Sequence, residues 1–532
     1  MRIQTYDVGT WLYPDSEITA CEQTICLDSA RNADACFQIL TDLKCAKDTD
    51  IKWTFDTSDS GVSVVVHELR PTFVKYNSGA QNYNAITWEN VEHFAVRQAP
   101  YEVYELTRPI EDGKLWGETG NTALFIRINV AKTAKPGEKK LVLYLNIAGE
   151  CAEIDINLNI HKAVVCDVEE SPYAMAFWLH PDCLQYSHKV DRGTEEYYHF
   201  VEAYLKQMKG MRCNHIQLPT PEPIRDEAGK VIDFDFEECD RITEIALKHG
   251  FQYINSGFIA KWLQWQASEF FLRWDSDTPV EGLEGYRQLK IYIERTKEFI
   301  TRHDIAEKYW QSFVDEPQLN NSMAYKAISS IFRREMPDIK IMDPIETPNV
   351  VGSCDVWIVK QAVYEKYKEQ YETLRQMGER LWVYSCGFPA GKWMNHAIDL
   401  PLSATRLITW QGVRYGMDGF LHFGYMEFFE GMDPMYTTAF GRIFQKEMRY
   451  FPPGNAFVIY TDGETIYDSV RAHVHRISAA EAELLLKLRE YDENACNEII
   501  DSVSTTFEEY VSDSETVEKA RKELLQKLDS YL

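Results

Sequence analysis

The amino-acid sequence predicts an α/β protein whose main unit is a TIM-like (β/α)8 barrel, preceded by an N-terminal antiparallel β-sandwich. Short apolar runs with an alternating pattern fill residues 1–165, and Gly and Pro residues separate them. Over residues 166–455, eight short apolar runs alternate with amphipathic helical patterns, which is the order of elements in such a barrel. Residues 456–532 begin with a short strand pattern and continue as a charged, helical extension. We therefore expect three segments with these boundaries.

The sandwich prediction depends on a period of two in the hydrophobic pattern. Its clearest part is the run 123–130, followed by the turn residues Pro136 and Gly137 and by the runs 140–147 and 153–160. Successive side chains point to opposite faces of a strand, so runs of this kind bury one face and expose the other. Strands of this length, joined by turn residues, are typical of two packed antiparallel sheets.

Eight apolar runs after Pro172 have the length of buried strands and are too short for helices. They are Tyr173–Leu179, Cys213–Leu218, Phe251–Asn255, Tyr309–Val314, Ile339–Met342, Val356–Val359, Leu381–Tyr384 and Gly419–Phe423. Helical patterns such as 197–208 and 323–336 lie between them, and 434–448 has the pattern of a closing helix. A doubly wound open sheet is the alternative, but it would need a ligand loop, and the sequence contains no G-x-G-x-x-G or P-loop motif.

Composition limits the classes of function. The chain has 532 residues, and 56 Lys plus Arg against 83 Asp plus Glu give a net charge of −27. Nucleic acids and anionic membrane surfaces require positive charge on the protein, so we expect neither as a partner. No apolar run approaches the roughly 18 residues that span a bilayer, and none follows Met1, so we expect no membrane insertion and a cytoplasmic location. The Cys residues form no C-x-x-C pair and the His residues no H-E-x-x-H motif, so we expect no metal and no other cofactor.

The strongest candidate for catalysis is the Asp315-Glu316 pair. Functional residues of a TIM-like barrel lie at the carboxyl ends of the strands, and this pair ends the predicted fourth strand. Pro317 should hold Glu316 extended and end the strand, so that both carboxylates reach the mouth of the barrel. Two carboxylates this close repel each other, which raises the pKa of one of them. A raised pKa suits a group that donates a proton near neutral pH. Other polar residues at predicted strand ends are Asp343, Glu346 and Lys360.

Aromatic residues in the predicted barrel indicate a sugar as the ligand. Nine of the 13 Trp residues fall within it, and flat aromatic faces can stack on the C–H surfaces of a sugar ring. The residues that we assign to substrate binding are Trp178, Asn255, Trp357, Tyr384, Trp410 and Tyr425. Trp357 also lies inside a strand pattern, where a role in the core is the alternative. Further binding candidates in loops are Trp262, Trp265 and Trp393.

Several of these segments together resemble glycoside hydrolase family 123 and the wider set of uncharacterised proteins that share its catalytic domain. The resemblance extends from about residue 120 to about residue 490. The segments that carry it are Phe313–Pro317, Leu381–Tyr384, Asp399–Leu402, Arg406, Trp410, Tyr415–Leu421 and Asp468–Arg471. Two segments depart from the family pattern, His422-Phe423 at the end of the last predicted strand and Ala472–His475 after Arg471. Both bear on which sugar is bound and neither touches the acid pair.

Characterised members of that family are β-N-acetylgalactosaminidases with a β-sandwich before a (β/α)8 barrel, and they retain the anomeric configuration by substrate assistance. The resemblance implies that Glu316 is the general acid/base and that Asp315 orients and polarises the 2-acetamido group of the substrate. In such a reaction the acetamido oxygen attacks the anomeric carbon, so the enzyme needs no nucleophile of its own. The expected function is therefore a retaining exo-β-N-acetylhexosaminidase that favours N-acetylgalactosamine and acts on a glycan or glycoconjugate.

Two other hypotheses stay open at this stage. The chain could be a glycan-binding protein that keeps the barrel without catalysis, as its aromatic content and the departures near the last strand would allow. It could also be a glycosidase with a conventional pair, Glu316 with Glu346 or Glu427, whose carboxyls stand about 5–5.5 Å apart in retaining enzymes. The linkage, the aglycone, the oligomeric state and sugar binding by the sandwich do not follow from the sequence.

Overall fold

The computed structural model describes residues 1–18, 23–57, 61–79, 85–88, 94–117, 120–435, 438, 440–444 and 447–532. Its N-terminal part contains two packed β-sheets. The strands of the seven-stranded sheet are, in spatial order, Ile3–Asp7, Ala33–Thr41, Ala123–Val130, Val62–Val74, Tyr101–Pro109, Ile466–Ser469 and Tyr460–Thr461. The strands of the five-stranded sheet are Thr24–Arg31, Glu150–Val164, Gly137–Ile147, Thr49–Asp56 and Lys114–Leu115. Thr24–Arg31 and Glu150–Val164 run parallel, while the pairings of the other strands in these sheets are antiparallel.

The two sheets differ in how their faces are covered. In the five-stranded sheet Leu143 is buried in the sandwich core, whereas its neighbour Tyr144 is 41% exposed. In the seven-stranded sheet Leu124 packs into the sandwich core, but its neighbour Phe125 is also fully buried, in a cluster with residues of the helix Val470–Tyr491. The helix Val470–Tyr491 therefore covers the outer face of this sheet, which explains why successive residues of its strands are apolar on both faces.

Eight parallel strands close into a barrel, which confirms the eight predicted strands and the fold class. The barrel strands, labelled β1 to β8 in chain order, are Ala174–Phe177, His215–Gln217, Tyr253–Asn255, Tyr309–Gln311, Lys340–Ile345, Val356–Lys360, Arg380–Ser385 and Gly419–His422. The helices of this region are Pro181–His188, Glu195–Gly210, Glu237–Lys248, Leu283–His303, Ser322–Glu335, Gln361–Lys366, Lys368–Gln376 and Leu402–Arg414. Between β5 and β6, where every residue is described, the connection has a 3₁₀ turn, Pro348–Val350, in place of an α-helix.

The predicted closing helix at 434–448 is wrong where the structure describes this segment. Phe440–Phe444 and Glu447–Phe451 form an antiparallel hairpin instead. Residues 436–437, 439 and 445–446 of the prediction lie outside the described residues. Apolar residues at 440, 443, 444 and 448 have helical spacing, but so short a pattern also fits two strands joined by a turn.

The chain after residue 456 contributes both to the sandwich and to a helical region. Tyr460–Thr461 and Ile466–Ser469 are strands of the seven-stranded sheet, and the second of them pairs with Tyr101–Pro109. The helices that follow are Val470–Tyr491, Glu493–Asp501 and Ser514–Asp529. Within the described ranges, no helix combines the length and the apolar character needed to cross a membrane.

A fully buried ion pair joins the sandwich to the helix Val470–Tyr491 and to loops of the barrel. Arg471 donates from Nε to Oε1 of Glu105 at 2.6 Å, and both side chains have no exposed surface. The same guanidinium donates from Nη1 to the carbonyl oxygens of His396, at 2.7 Å, and Gly454, at 2.6 Å. Since Glu105 belongs to the sandwich and His396 follows β7, one side chain ties three parts of the chain together.

We expect Glu105→Ala to lower the free energy of unfolding by about 3–5 kcal/mol, because the Arg471 charge stays buried without a counter-charge. Urea denaturation followed by tryptophan fluorescence measures this loss. The matched control is Glu515→Ala, which removes an exposed pair with Lys519 at 2.8 Å. That change should alter the free energy of unfolding by less than about 1 kcal/mol. Equal losses in the two variants would contradict the structural role of the buried pair.

Candidate functional site

The predicted carboxylate pair lies where the chain leaves β4 at the mouth of the barrel. The strand ends at Gln311, and Glu316 has a φ of 49°, in the left-handed region that residues other than glycine rarely adopt. The expectation of an extended Glu316 before Pro317 is therefore wrong. In a strand, neighbouring side chains point to opposite faces, and the left-handed turn removes that restriction for Asp315 and Glu316.

Buried hydrogen bonds hold the backbone that leads to this corner. The amide of Phe313 donates to both carboxyl oxygens of Asp343 at 3.0 Å, and the Tyr325 hydroxyl donates to Oδ2 at 2.8 Å. The amide of Ser312 donates to Ser256 Oγ at 2.8 Å. Asp343 is fully buried, and burial raises its pKa well above the usual value. The Asp343 carboxyl, which lies within β5, thus supports the corner and is not exposed to a ligand.

Glu316 is held through one of its oxygens by groups from two other strands. Lys360 Nζ, at the end of β6, lies 2.8 Å from Oε1, and the Tyr384 hydroxyl on β7 donates to the same oxygen at 2.5 Å. Lys360 also contacts Oε1 of Glu346, whose Oε2 accepts a hydrogen bond from Gln318 Nε2 at 2.9 Å. The ends of four neighbouring strands, β4 to β7, therefore contribute to one charged cluster.

Asp315 is partly buried beside Glu316. Burial raises its pKa and Glu316 raises it further, while Lys360 and Arg273 act in the opposite direction, so that the pKa reaches about 7. The carbonyl oxygen of Asp315 accepts a hydrogen bond from Trp262 Nε1 at 3.1 Å, which ties the β3–β4 connection to the corner. Near neutral pH both protonation states of the Asp315 carboxyl are therefore populated.

Three of the six predicted sugar-binding residues face the interior or the mouth of the barrel. Tyr384 packs in the inner core and donates a hydrogen bond to Glu316. Trp178 follows β1, is partly exposed and packs against the same inner core, with its ring 5.6 Å from that of Phe258. Asn255 ends β3 and donates from Nδ2 to Ser312 Oγ at 2.8 Å, while its buried Oδ1 has no hydrogen-bond partner among the described residues.

The other three predicted sugar-binding residues, Trp357, Trp410 and Tyr425, are buried outside the barrel, so the prediction is wrong for them. On β6, Val356 and Ile358 face the interior, and the intervening Trp357 must point outward to the helices. The polar atoms of all three bond to protein groups: Trp357 Nε1 to Glu379 Oε2 at 3.2 Å, Trp410 Nε1 to Glu481 Oε2 at 3.0 Å, and the Tyr425 hydroxyl to the Tyr204 carbonyl at 3.2 Å.

The loop tryptophans fall into two groups. Trp262 and Trp265 are partly exposed in the β3–β4 connection and pack edge to face, with ring centroids 4.6 Å apart. Because Trp262 bonds to Asp315, this pair lies beside the carboxylates. Trp393 is buried in the outer core of the barrel, where it is not available to a ligand.

Four residues of the cluster are not among the site residues assigned from the sequence, although Glu346 enters one alternative as a partner of Glu316. Lys360 and Glu346 do end predicted strands, and that position is the signal that points to them. No signal identifies Gln318 or Arg273, because both lie in irregular connections without a hydrophobic period.

Cys386 follows β7 close to the carboxylates. Burial raises the pKa of its thiol to about 12, and Sγ donates to the carbonyl of Phe388 at 2.9 Å. The thiolate needed for nucleophilic attack is therefore scarce at neutral pH. In the part of the chain that the structure describes, no group of three or more His, Cys, Asp or Glu residues could hold a metal ion.

Comparison with known proteins finds similarity to one family over most of the barrel. Residues 178–488 match the family model for the glycoside hydrolase 123 catalytic domain. A family 123 glycoside hydrolase from Clostridium perfringens, studied for glycolipid glycan hydrolysis, has the same fold with a TM-score of 0.72 at 12% identity. The match covers 100% of this chain and 97% of that chain.

Two other solved structures are similar to a lesser degree. A β-D-glucuronidase from Dictyoglomus thermophilum has a TM-score of 0.34 at 10% identity, covering 82% of this chain and 69% of that chain. An endo-β-1,4-mannanase from Thermotoga petrophila has a TM-score of 0.33 at 12% identity, covering 60% of this chain and 78% of that chain. Scores this low support no conclusion about this chain. No curated protein matches the chain.

We expect Asp315→Asn to stabilise the protein by about 1–3 kcal/mol at pH 8 and by less at pH 5. The folded protein holds the pKa of Asp315 at about 7, far above its usual value of 3.8. Ionising this carboxyl lowers stability as the pH rises from about 4 to about 7, and a neutral amide avoids that loss. Thermal unfolding of both proteins by calorimetry at the two pH values measures the effect. A stability difference that does not change with pH would contradict it.

Proposed function

The chain belongs to glycoside hydrolase family 123, and we propose that it is a retaining exo-β-N-acetylhexosaminidase that favours N-acetylgalactosamine. The observation that carries the proposal is the corner after β4, where two adjacent carboxyls have different surroundings. Glu316 is bonded through Oε1 to Lys360 and Tyr384, whereas Asp315 has a pKa of about 7. The preference for the galacto sugar rests on the family resemblance alone. The proposed substrate is a terminal β-linked residue of a glycan or glycoconjugate.

In the first step Glu316 acts as the general acid. It gives a proton to the glycosidic oxygen while the carbonyl oxygen of the 2-acetamido group attacks the anomeric carbon and the glycosidic bond breaks. The products are the alcohol of the aglycone and an oxazolinium ion on the sugar. Asp315 accepts a hydrogen bond from the acetamido N–H and, as a carboxylate, stabilises the positive charge that develops there.

In the second step Glu316 acts as the general base. Water attacks the anomeric carbon, and the Glu316 carboxylate removes a proton from it. The bond between the anomeric carbon and the acetamido oxygen breaks, so the acetamido group is regenerated and the sugar keeps its β configuration. Between the steps, the contacts of Lys360 and Tyr384 with Oε1 stabilise the carboxylate.

A conventional carboxylate pair has less support. Both oxygens of Glu346 are engaged, Oε1 with Lys360 and Oε2 with Gln318, so neither is free to attack a sugar. Glu427 is buried, and its amide bonds to the carbonyl of Ala456 at 3.0 Å, beside the segment that enters the sandwich sheet.

The histidines of the two departures from the family pattern are buried and contact other protein groups, so they offer no support for a loss of catalysis. His422 is fully buried, accepts a hydrogen bond from the Gly424 amide at 2.8 Å and lies with its ring 3.7 Å from that of His396. His475 is also buried and approaches His396 with ring nitrogens 3.1 Å apart. These histidines fill the contact between the barrel and the helix Val470–Tyr491.

We expect Glu316→Gln to lower kcat on 4-methylumbelliferyl β-N-acetylgalactosaminide about 10²- to 10⁴-fold, because an amide can neither give nor take the proton. Steady-state kinetics measure this, with the N-acetylglucosaminide as the second substrate. Glu515→Gln, an exposed glutamate on the last helix, is the control and should keep the wild-type rate. Equal rates for wild type and Glu316→Gln would contradict the role of Glu316. A faster wild-type reaction with the gluco substrate would correct the choice of sugar.

We expect a thiazoline derived from N-acetylgalactosamine to inhibit competitively, since it resembles the oxazolinium intermediate. Asp315→Asn should weaken its binding about 10- to 100-fold, because a charge-assisted hydrogen bond to the ring nitrogen is lost. Inhibition constants for both proteins test this. Cleavage of an aryl β-galactoside without an acetamido group, together with no inhibition by the thiazoline, would refute substrate assistance.

A further inference from the structure

An ammonium group in contact with Glu316 opposes its function as an acid. Lys360 Nζ lies 2.8 Å from Glu316 Oε1, and the Lys360 side chain is only 10% exposed. A positive charge at this distance favours the carboxylate over the carboxylic acid, and more strongly in a buried place than in water. A general acid must be protonated when its substrate is bound. Lys360 by itself would therefore hinder the first step of the proposed reaction.

Glu346 shares the same ammonium and offsets part of its charge. Lys360 Nζ contacts Oε1 of both Glu346 and Glu316. Burial favours the neutral amine, but the two glutamates hold the pKa of Lys360 well above its usual value, so the ammonium persists. One positive charge thus serves two carboxyl groups, and only a part of it acts on Glu316.

Glu346 is fixed in this position by bonds to the corner itself. Gln318 Nε2 donates to Glu346 Oε2 at 2.9 Å, and the amide of Glu346 donates to the carbonyl of Pro317 at 3.1 Å. The amide of Gln318 in turn donates to Asn321 Oδ1 at 2.7 Å. Because Pro317 directly follows Glu316, the end of β5 is bonded to the turn that presents the proposed acid.

The contacts of Glu316 also distinguish its two oxygens. Lys360 and the Tyr384 hydroxyl both reach Oε1, and no described residue bonds to Oε2. An oxygen that already accepts two hydrogen bonds from donors is a poor place for a third proton. The proton of the acid form therefore belongs on Oε2, the oxygen left for the substrate.

Other titratable and charged groups also face Glu316. They are Asp315 on the same corner and Tyr384 and Cys386 on β7 and its loop, while Arg273 in the β3–β4 connection acts on Asp315. Burial raises the pKa of Tyr384 well above its usual value and that of Cys386 to about 12, so both are neutral near pH 7. Lys360 and Glu346 are then the charged partners that reach Glu316 from β5 and β6.

We propose that Lys360 and Glu346 are positioning residues for Glu316: Lys360 orients the carboxyl so that Oε2 faces the glycosidic oxygen, and Glu346 offsets the ammonium charge so that Glu316 can carry a proton. This inference rests on the proposed function. In the first step the proton moves from Oε2 to the glycosidic oxygen, and Lys360 and Tyr384 stabilise the new carboxylate. In the second step a proton from water returns to Oε2.

The test measures kcat/KM against pH for phenyl and 2,4-dinitrophenyl β-N-acetylgalactosaminide. Dinitrophenolate leaves without a proton, whereas phenolate needs one from Glu316. The ratio of kcat/KM for the phenyl substrate to kcat/KM for the dinitrophenyl substrate therefore follows the protonated fraction of Glu316. Effects on Asp315 change both values and cancel in the ratio. This ratio falls as the pH rises. In Glu346→Gln the fall should occur about one pH unit lower or more, because the full Lys360 charge then acts on Glu316.

Lys360→Met should move the fall in the opposite direction, to higher pH, because the Glu346 charge is then unbalanced. The double variant Lys360→Met/Glu346→Gln should return it close to the wild-type pH. Lys360→Arg keeps the positive charge, so the ratio should fall at the same pH as in wild type, while kcat on the phenyl substrate decreases. A loss of rate in all variants without these opposite shifts would overturn the proposal, since a merely structural role predicts it.

Lys248→Met is the matched control, because it removes an exposed ion pair with Glu202 at 2.9 Å, and its ratio should fall at the wild-type pH. Circular dichroism melts establish that each variant is folded, and if Lys360→Met is not, the shift in Glu346→Gln decides alone. A wild-type protein that cleaves neither substrate would refute the proposed function. An active wild type with unshifted variants would refute only this inference.

Discussion

The left-handed backbone at Glu316 is the constraint on which the proposed active site depends. In a strand, Asp315 and Glu316 would face opposite sides, and only one of them would reach the substrate. A φ of 49° at a residue other than glycine costs about 1–3 kcal/mol and persists where its surroundings fix it. Here the carbonyl of Asp315 is bonded to Trp262, and that of Pro317 to the amide of Glu346. The strain thus lies at Glu316, the proposed general acid, directly after Asp315.

Much of the fold can be predicted from the sequence, because each barrel strand is a short apolar run between polar residues. The direction of individual side chains is harder to predict when both faces of a strand are buried. Trp357 lies between the inward-facing Val356 and Ile358, and composition alone does not separate the two faces. The hairpin at Phe440–Phe444 and Glu447–Phe451 shows a second limit, since the helical spacing of a few apolar residues is also compatible with two short strands.

The candidate site can be predicted only in part. Position at a strand end points to Asp315 and Glu316, because the carboxyl ends of barrel strands meet at one mouth. The residue before a proline ordinarily favours an extended backbone, so only long-range bonds explain the turn at Glu316. The contact between Lys360 and Glu346 depends on β5 and β6 being side by side, which no local pattern contains. The charge balance at the proposed acid therefore follows from topology and not from any single motif.

The most direct measurement is a crystal structure of the protein with the thiazoline derived from N-acetylgalactosamine. We predict that an Asp315 carboxyl oxygen lies about 3 Å from the thiazoline nitrogen. Glu316 Oε2 should face the position of the glycosidic oxygen, while Oε1 keeps its contacts with Lys360 and Tyr384. An inhibitor whose nitrogen faces away from Asp315, with another carboxylate such as Glu346 beneath the anomeric carbon, would contradict the account.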